Sequence, residues 1–267
     1  MVPEAPNGQE GMLATETQTT TQYVHRFAEI VARHKGEERW AERLFVDGRN
    51  RIILISAPPG TPPDPHLHPD FHEWWVLLGG EIQWQTGEWQ PFTAKEGDIV
   101  IAPCGQRHDI QPKGTNVQTF RLAVSAYNSN HDLKGVPPSR LLPIPTDWAP
   151  PNMIHTPLDY MSKRHGTDKG WAEEVVLDTR NRANMIYQLP GESNRAHWHP
   201  DFDEWWVVLK GELEWKIGDA EPFRVKKKDI VFAPAGLKHG IRTLGNEPSV
   251  RLAVTIPGPR HVFTDPA

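Results

Sequence analysis

The chain has 267 residues, of which 37% are hydrophobic and 24% charged, and its formal net charge is -5. That balance belongs to a soluble globular protein forming one large domain or two small ones. It excludes the basic footprint of a nucleic-acid binder or a membrane-surface protein, and no apolar run approaches the roughly 20 residues of a membrane span. Cys104 is the only cysteine, so there is no intrachain disulfide and no cysteine cluster, and any bound metal needs N and O ligands.

Residues 1–24 begin MVPEAPNGQEGMLATETQTTTQ. They lack the apolar core of a secretory signal, which predicts a flexible polar tail and a cytoplasmic protein. In QYVHRFAEIVARHKG the residues Tyr23, Phe27, Ile30 and Val31 share one helical face and Gly36 supplies a stop, so a short helix is expected there.

From Trp40 onward the pattern changes to short alternating runs broken by turn residues, and it is written twice. Sliding the chain by 131 residues aligns WAERLFVDGRNR (40–51) with WAEEVVLDTRNR (171–182). The register holds through GDIVIAPCGQRH and KDIVFAPAGLKH, with about half of the paired positions identical. Alternation such as Leu213, Trp215 and Ile217 in ELEWKI marks half-buried strands. Many such strands at close spacing predict an all-β pair of antiparallel barrels or sandwiches, each preceded by a short helix. The expected divisions are residues 25–130, a Pro-rich connector over 131–157, and residues 158–267.

His66 and His68 are two apart, so on a strand both point to one side. Pro69-Asp70-Phe71 turns the chain, Glu73 opens the next strand, and His108 follows the turn Pro103-Cys104-Gly105. His197, His199, Glu204 and His239 repeat the set at the same spacings. Three imidazoles and a carboxylate suit a borderline divalent metal such as Fe, Mn, Ni, Co, Cu or Zn, and in an octahedral ion they leave two positions open.

Gly60-x5-His66-x-His68-x4-Glu73-x6-Gly80 and Gly97-x5-Pro103-x-Gly105-x2-His108 resemble the two motifs of the cupin superfamily, and Gly191 to Gly211 repeats the first. The second copy departs at Lys228, where a glycine is usual, and the Asn common four positions after the last His is replaced by Pro112 and Thr243. The resemblance covers roughly residues 40–125 and 171–255 and implies a bicupin. Its fold would be two tandem double-stranded β-helix, jelly-roll-like barrels with a metal at each mouth. Cupins include dioxygenases, decarboxylases, isomerases, lyases and binders, so the likeness does not choose a reaction. The E-W-W string is loosely similar to 3-hydroxyanthranilate dioxygenase-like cupins.

Strand alternation places Trp75 beside Glu73, and Trp206 beside Glu204, with Trp74 and Trp205 on the opposite face. Trp75, Trp84, Trp206 and Trp215 are therefore candidates for an apolar wall against a flat substrate. The outward pair would pack on the partner barrel, the helix or a second subunit, which makes a homodimer an expectation. Arg121 and Arg251 open the similar strands FRLAV and VRLAV and are candidates to hold a substrate carboxylate. Asp47, Arg49, Asn50 and Arg51, repeated as Asp178, Arg180, Asn181 and Arg182, are expected mostly in salt bridges and turns, and His72 in a solvent-facing turn. The function read from these residues is an Fe(II) dioxygenase acting on a small aromatic or enolic acid. The alternatives are a non-redox Mn, Ni or Zn isomerase, lyase or decarboxylase, and a non-catalytic bicupin that binds a small molecule. Which barrel works is left open.

Overall fold

The computed structural model describes residues 23–114 and 117–265, so the expected tail lies outside the described residues except for Tyr23 and Val24. Chain order begins with β1 (Val24–His25) and α1 (Phe27–Arg33). The first barrel follows as β2 (Trp40–Val46), β3 (Asn50–Ala57), β4 (Glu73–Gly79), β5 (Glu81–Thr86), β6 (Phe92–Lys95), β7 (Ile99–Ala102), β8 (His108–Lys113) and β9 (Thr119–Ala126). Next come β10 (His155–Thr156) and α2 (Leu158–His165). The second barrel is β11 (Trp171–Leu177), β12 (Arg182–Gln188), β13 (Glu204–Lys210), β14 (Glu212–Ile217), β15 (Phe223–Lys226), β16 (Ile230–Ala233), β17 (His239–Thr243) and β18 (Ser249–Thr255).

Each barrel sets a six-stranded sheet, in the order β10-β7-β4-β9-β3-β2 or β1-β16-β13-β18-β12-β11, against a three-stranded one, β6-β5-β8 or β15-β14-β17. Neighbouring strands within these sheets pair antiparallel. The alternation read from the sequence appears in β14, where Leu213, Trp215 and Ile217 are fully buried while Glu212 and Lys216 are exposed. All seven residues of β4 are buried because both faces are covered. One face turns Trp75 and Leu77 into the barrel, where they pack with Ile82 and Trp84 of β5. The other joins a core shared between the barrels, in which Trp74 and Val76 meet Trp205 and Val207. Trp74 and Trp205 stack at 6.1 Å between centroids with planes 6° apart. The outward tryptophans are thus used up within the chain, and they offer no surface to a second subunit.

The barrels also exchange edge strands. β1, which precedes the first barrel, pairs with β16 of the second, and β10, which precedes the second, pairs with β7 of the first. This corrects the expected helix, which starts at Phe27 rather than Tyr23. Val24 is β-branched and its neighbours Val231 and Ile230 offer an open sheet edge, so two residues are drawn into a strand. Neither helix carries a side-chain cap of its own. The buried carboxylate of Asp229 accepts the Phe27 N–H at 3.1 Å and the Arg26 guanidinium at 3.0 Å. Asp98 likewise accepts the Leu158 N–H at 3.1 Å and contacts His155 Nε2 at 2.9 Å. An aspartate of one barrel therefore does the N-capping for the helix that leads into the other.

At the position where Lys228 replaces glycine the turn keeps its shape, with φ of 79° against 91° at Gly97. That conformation is strained for a side chain. At Gly97 a Cβ would also lie 2.7 Å from Leu158 Cδ2, so that side chain would have to move.

Candidate metal centres

The ligand segments ahead of β4 and β13 have no regular strand, yet their backbones are fixed. His66 and His108 exchange N–H to O bonds of 3.2 and 2.9 Å, and His197 and His239 exchange bonds of 3.0 and 2.8 Å. The four candidate ligands of each copy meet there. In each set, one nitrogen or oxygen from every residue lies within 4.8 Å of the others.

The hydrogen bonds on the far side of the rings decide what these atoms can do. His66 Nδ1 faces the carbonyl of Asp64 at 2.6 Å, His197 that of Arg195 at 2.9 Å, His199 that of Arg260 at 2.7 Å and His239 that of Leu237 at 3.0 Å. A carbonyl only accepts, so Nδ1 carries the hydrogen and the lone pair of Nε2 is left pointing at the cluster. In the first barrel the Ser125 hydroxyl donates to Glu73 Oε1, and Oε2 of the same carboxylate lies 2.9 Å from His68 Nε2 and 3.3 Å from His108 Nε2. His108 Nε2 is also only 3.1 Å from His66 Nε2. In the second barrel Glu204 Oε2 lies 2.7 Å from His199 Nε2 and 3.1 Å from His239 Nε2, while the buried His197 Nε2 has no hydrogen-bond partner.

Converging acceptors repel one another unless a cation sits among them. The ionisation of the free groups shows the same demand. Burial alone would raise Glu73, but the imidazoles of His108, His66 and His68 hold it well below the usual carboxylate range. Burial is opposed in the same way at Glu204, where His199 and His239 bring the group down to about 2. His66 and His199 rise despite their burial because Glu73 and Glu204 favour their protonated forms. His197 falls to about 4, chiefly through burial. The donor sets, largely buried and carboxylate-bearing, with four of the six imidazoles held by backbone carbonyls at Nδ1, fit a divalent metal of borderline character.

A cavity of about 490 Å³ opens beside the first cluster, and its walls include Arg39, Arg121, Glu73, His66, Trp75 and His131. Trp84 packs behind Trp75 at 4.5 Å between centroids, and in the second barrel Trp215 packs behind Trp206 at 5.8 Å. Trp75 and Trp206 themselves stand edge-on to the ligands His108 and His239, at 5.2 and 5.1 Å. The two arginines differ. Both leave a buried Nε without a partner, but Arg251 Nη1 donates to Gln188 at 2.5 Å, whereas the buried Nη1 of Arg121, a half-buried residue, has none. The residue facing Gln188 in the repeat is Ala57, which cannot accept a hydrogen bond. Burial lowers both guanidinium groups to about 10, which leaves them charged at neutral pH.

Two histidines escaped the sequence reading. His131 lies 4.6 Å from His66 and 5.2 Å from His68, and His261 lies 4.6 Å from His197 and 4.9 Å from His199. They are 130 residues apart, one short of the repeat, because the second copy loses a residue between its last ligand and its arginine strand. Counted from Arg121 and Arg251, each stands ten residues on, and that landmark would have paired them. His72 is half-buried rather than solvent-facing. Its Nδ1 accepts the Cys104 N–H at 2.7 Å, the task that Asp203 performs for Ala235 at 2.8 Å.

The fold and the clusters are those of a known group. A cupin domain model matches residues 53–121 and 185–256, together just over half of the chain. The chain belongs to the cupin family. Its two copies make it a bicupin with two His/Glu metal-binding clusters. In sequence this bicupin is similar to oxalate decarboxylase OxdC of Bacillus subtilis, 29% identical over 74 residues that cover 26% of this chain and 19% of that protein. It is also similar to tetracenomycin polyketide synthase protein TcmJ of Streptomyces glaucescens, 30% identical over 86 residues that cover 30% of this chain and 57% of that one. These matches span less than two thirds of either relative. Among solved structures, a cupin 2 conserved barrel domain protein from Leptotrichia buccalis aligns with a TM-score of 0.64 at 16% identity, covering 90% of this chain and 98% of the other. Oxalate decarboxylase from Bacillus subtilis aligns at 0.56 and 14% identity, covering 91% and 78%. At such identities the likeness shows the fold. Among the described residues no helix is long and apolar enough to cross a membrane.

Proposed function

We propose that this bicupin is a metal-dependent enzyme that cleaves a carbon-carbon bond of a small organic acid at the first-barrel centre. The observation that carries the reading is Arg121, a half-buried residue whose buried Nε and Nη1 have no partner, in the wall of the 490 Å³ cavity that also exposes Glu73 and His66. A buried charge without a partner is costly, and a carboxylate that accepts two of its N–H groups removes the cost. Arg39 adds a second positive charge to the same cavity, where the second barrel has Gly170.

His66, His68, Glu73 and His108 would hold the metal, which when bound supplies Lewis acidity or access to O2. Arg121 fixes the acid end of the substrate and Trp75 offers a flat apolar wall to the remainder. His131 closes the cavity over His66. The Ser125 hydroxyl keeps Glu73 turned so that Oε2 faces the imidazoles. The second centre keeps a metal set, but Arg251 already donates from Nη1 to Gln188 and so has fewer N–H groups to offer an acid.

The cavity, whose volume lies within the range of drug-sized ligand sites, has room for an aromatic or enolic acid, the substrate class of the Fe(II) dioxygenase reading. Decarboxylation without net oxidation is favoured by the oxalate decarboxylase relatives, one described for its Mn(II) centres. Metal analysis of anaerobically purified protein, followed by O2 uptake and CO2 release with a panel of hydroxylated aromatic acids and short diacids, separates them. Iron with substrate-dependent O2 uptake supports the dioxygenase. Manganese with CO2 release and no uptake supports the decarboxylase, and failure of any acid to bind the metal-loaded protein defeats both.

A further inference from the structure

Each ligand loop rests on an arginine from the opposite barrel. Arg180, in the turn between β11 and β12, donates from Nη2 to the carbonyl of His72 at 2.6 Å, and its guanidinium carbon lies 4.9 Å from the Phe71 ring centre. Phe71 in turn stacks on the ligand ring of His68 at 4.4 Å with planes 22° apart. The same arrangement runs the other way. Arg49, between β2 and β3, donates to the carbonyl of Asp203 at 3.1 Å and lies 6.0 Å from Phe202, which stacks on His199 at 4.3 Å and 27°.

His72 and Asp203 immediately precede Glu73 and Glu204. In each barrel, therefore, one imidazole ligand through its stack and the carboxylate ligand through its backbone are seated on a side chain from the other half. The arginines are themselves held. Arg49 is paired with Asp47 at 2.9 Å and donates to the carbonyl of Arg180 at 3.2 Å, and Arg180 donates to Asn50 Oδ1 at 2.8 Å. Between them, Asn50 and Asn181 exchange amide hydrogen bonds of 2.7 and 3.1 Å. A seam of polar groups, buried or largely so, thus joins the two ligand loops near the pseudo-symmetry axis. A purely structural tie would not need to end on the residues that carry the ligands.

We propose that Arg180 is a positioning residue for the first metal centre and Arg49 for the second, so that each centre is assembled across the barrel interface. The inference rests on the reading that both clusters hold a divalent cation. Groups that orient metal ligands typically change affinity by about 10- to 100-fold when removed, and a loop that has lost its brace presents its histidine and glutamate in a broader range of positions.

The test uses full-length chains that keep one cluster each. His197→Ala/His199→Ala retains the first, and His66→Ala/His68→Ala retains the second. Mn(II) is titrated into each, and free Mn(II) is counted by its electron paramagnetic resonance signal. With the first cluster alone, Arg180→Gln should weaken Mn(II) binding about tenfold and Arg49→Gln much less, and with the second cluster alone the order should reverse. General loosening of the fold would weaken both clusters alike, and that result, or no change, overturns the proposal. If the arginine variants fail to fold by circular dichroism, Phe71→Leu and Phe202→Leu break the same chain of contacts and should weaken only the cluster on their own side. Absence of Mn(II) binding in the single-cluster parents would overturn the metal reading and the proposal with it, whereas binding without the crossed pattern overturns the proposal alone.

Discussion

At the scale of single residues, the asymmetry between Arg121 and Arg251 separates two otherwise matched sites. Arg121→Met should raise the dissociation constant of a bound acid tenfold or more, the effect of about 1.5 to 3 kcal/mol for a charge-assisted hydrogen bond. Arg251→Met, whose side chain is already engaged by Gln188, should change it by much less, and calorimetric titration of the metal-loaded protein reads both. His197 permits a test in the metal-free protein. Its pKa in the folded chain is lowered to about 4, below the roughly 6.5 of an unfolded histidine, so the folded state binds fewer protons between those values. Its contribution to stability is therefore present above about pH 6.5 and is lost as pH falls toward 4. His66 and His199, which are raised, act in the opposite sense. His197→Asn should accordingly lose less thermal stability than the parent between pH 7 and pH 4.5, as followed by circular dichroism with chelator present. The eight cluster residues were legible in the sequence because they recur together at one spacing beside turn residues. Ser125, His131 and His261 were not legible, since their roles depend on where the chain returns after the last strand of each barrel.

Among the elements, the strands were readable wherever one face is apolar, as in β14, and the division of Trp74 from Trp75 followed from period two alone. The edge strands β1 and β10 were not readable. Each has two residues, and its reason for being a strand is a partner more than 50 residues away in one case and about 200 in the other. A two-residue run holds no periodicity, so the predicted helix extended over it. The helix caps were hidden in the same way, because Asp98 and Asp229 belong by sequence to the cupin motif and by contact to the opposite helix. Asp229→Ala removes the cap of α1 and leaves Arg26 without its carboxylate. A loss of about 2 kcal/mol is expected, and Asp98→Ala should show a similar loss. Urea unfolding measures both, and values near zero would mean that the exchanged segments contribute little to the fold.

For the molecule as a whole, the repeat, the two barrels and the family all followed from the sequence, but their mutual embrace did not. Exchanged strands, borrowed caps and the stacked pair Trp74 and Trp205 make the halves one body with a shared core. The first half has a cavity lined by Arg39 and Arg121 beside its cluster, and the second repeats the cluster with Arg251 bonded to Gln188. The measurement that bears most directly on this picture is the number of divalent ions bound per chain, by plasma mass spectrometry after loading with Mn(II) and removal of excess. Two ions are expected in the parent, one in His66→Ala/His68→Ala and one in His197→Ala/His199→Ala. A folded parent that binds none would contradict the assignment of both clusters as metal centres.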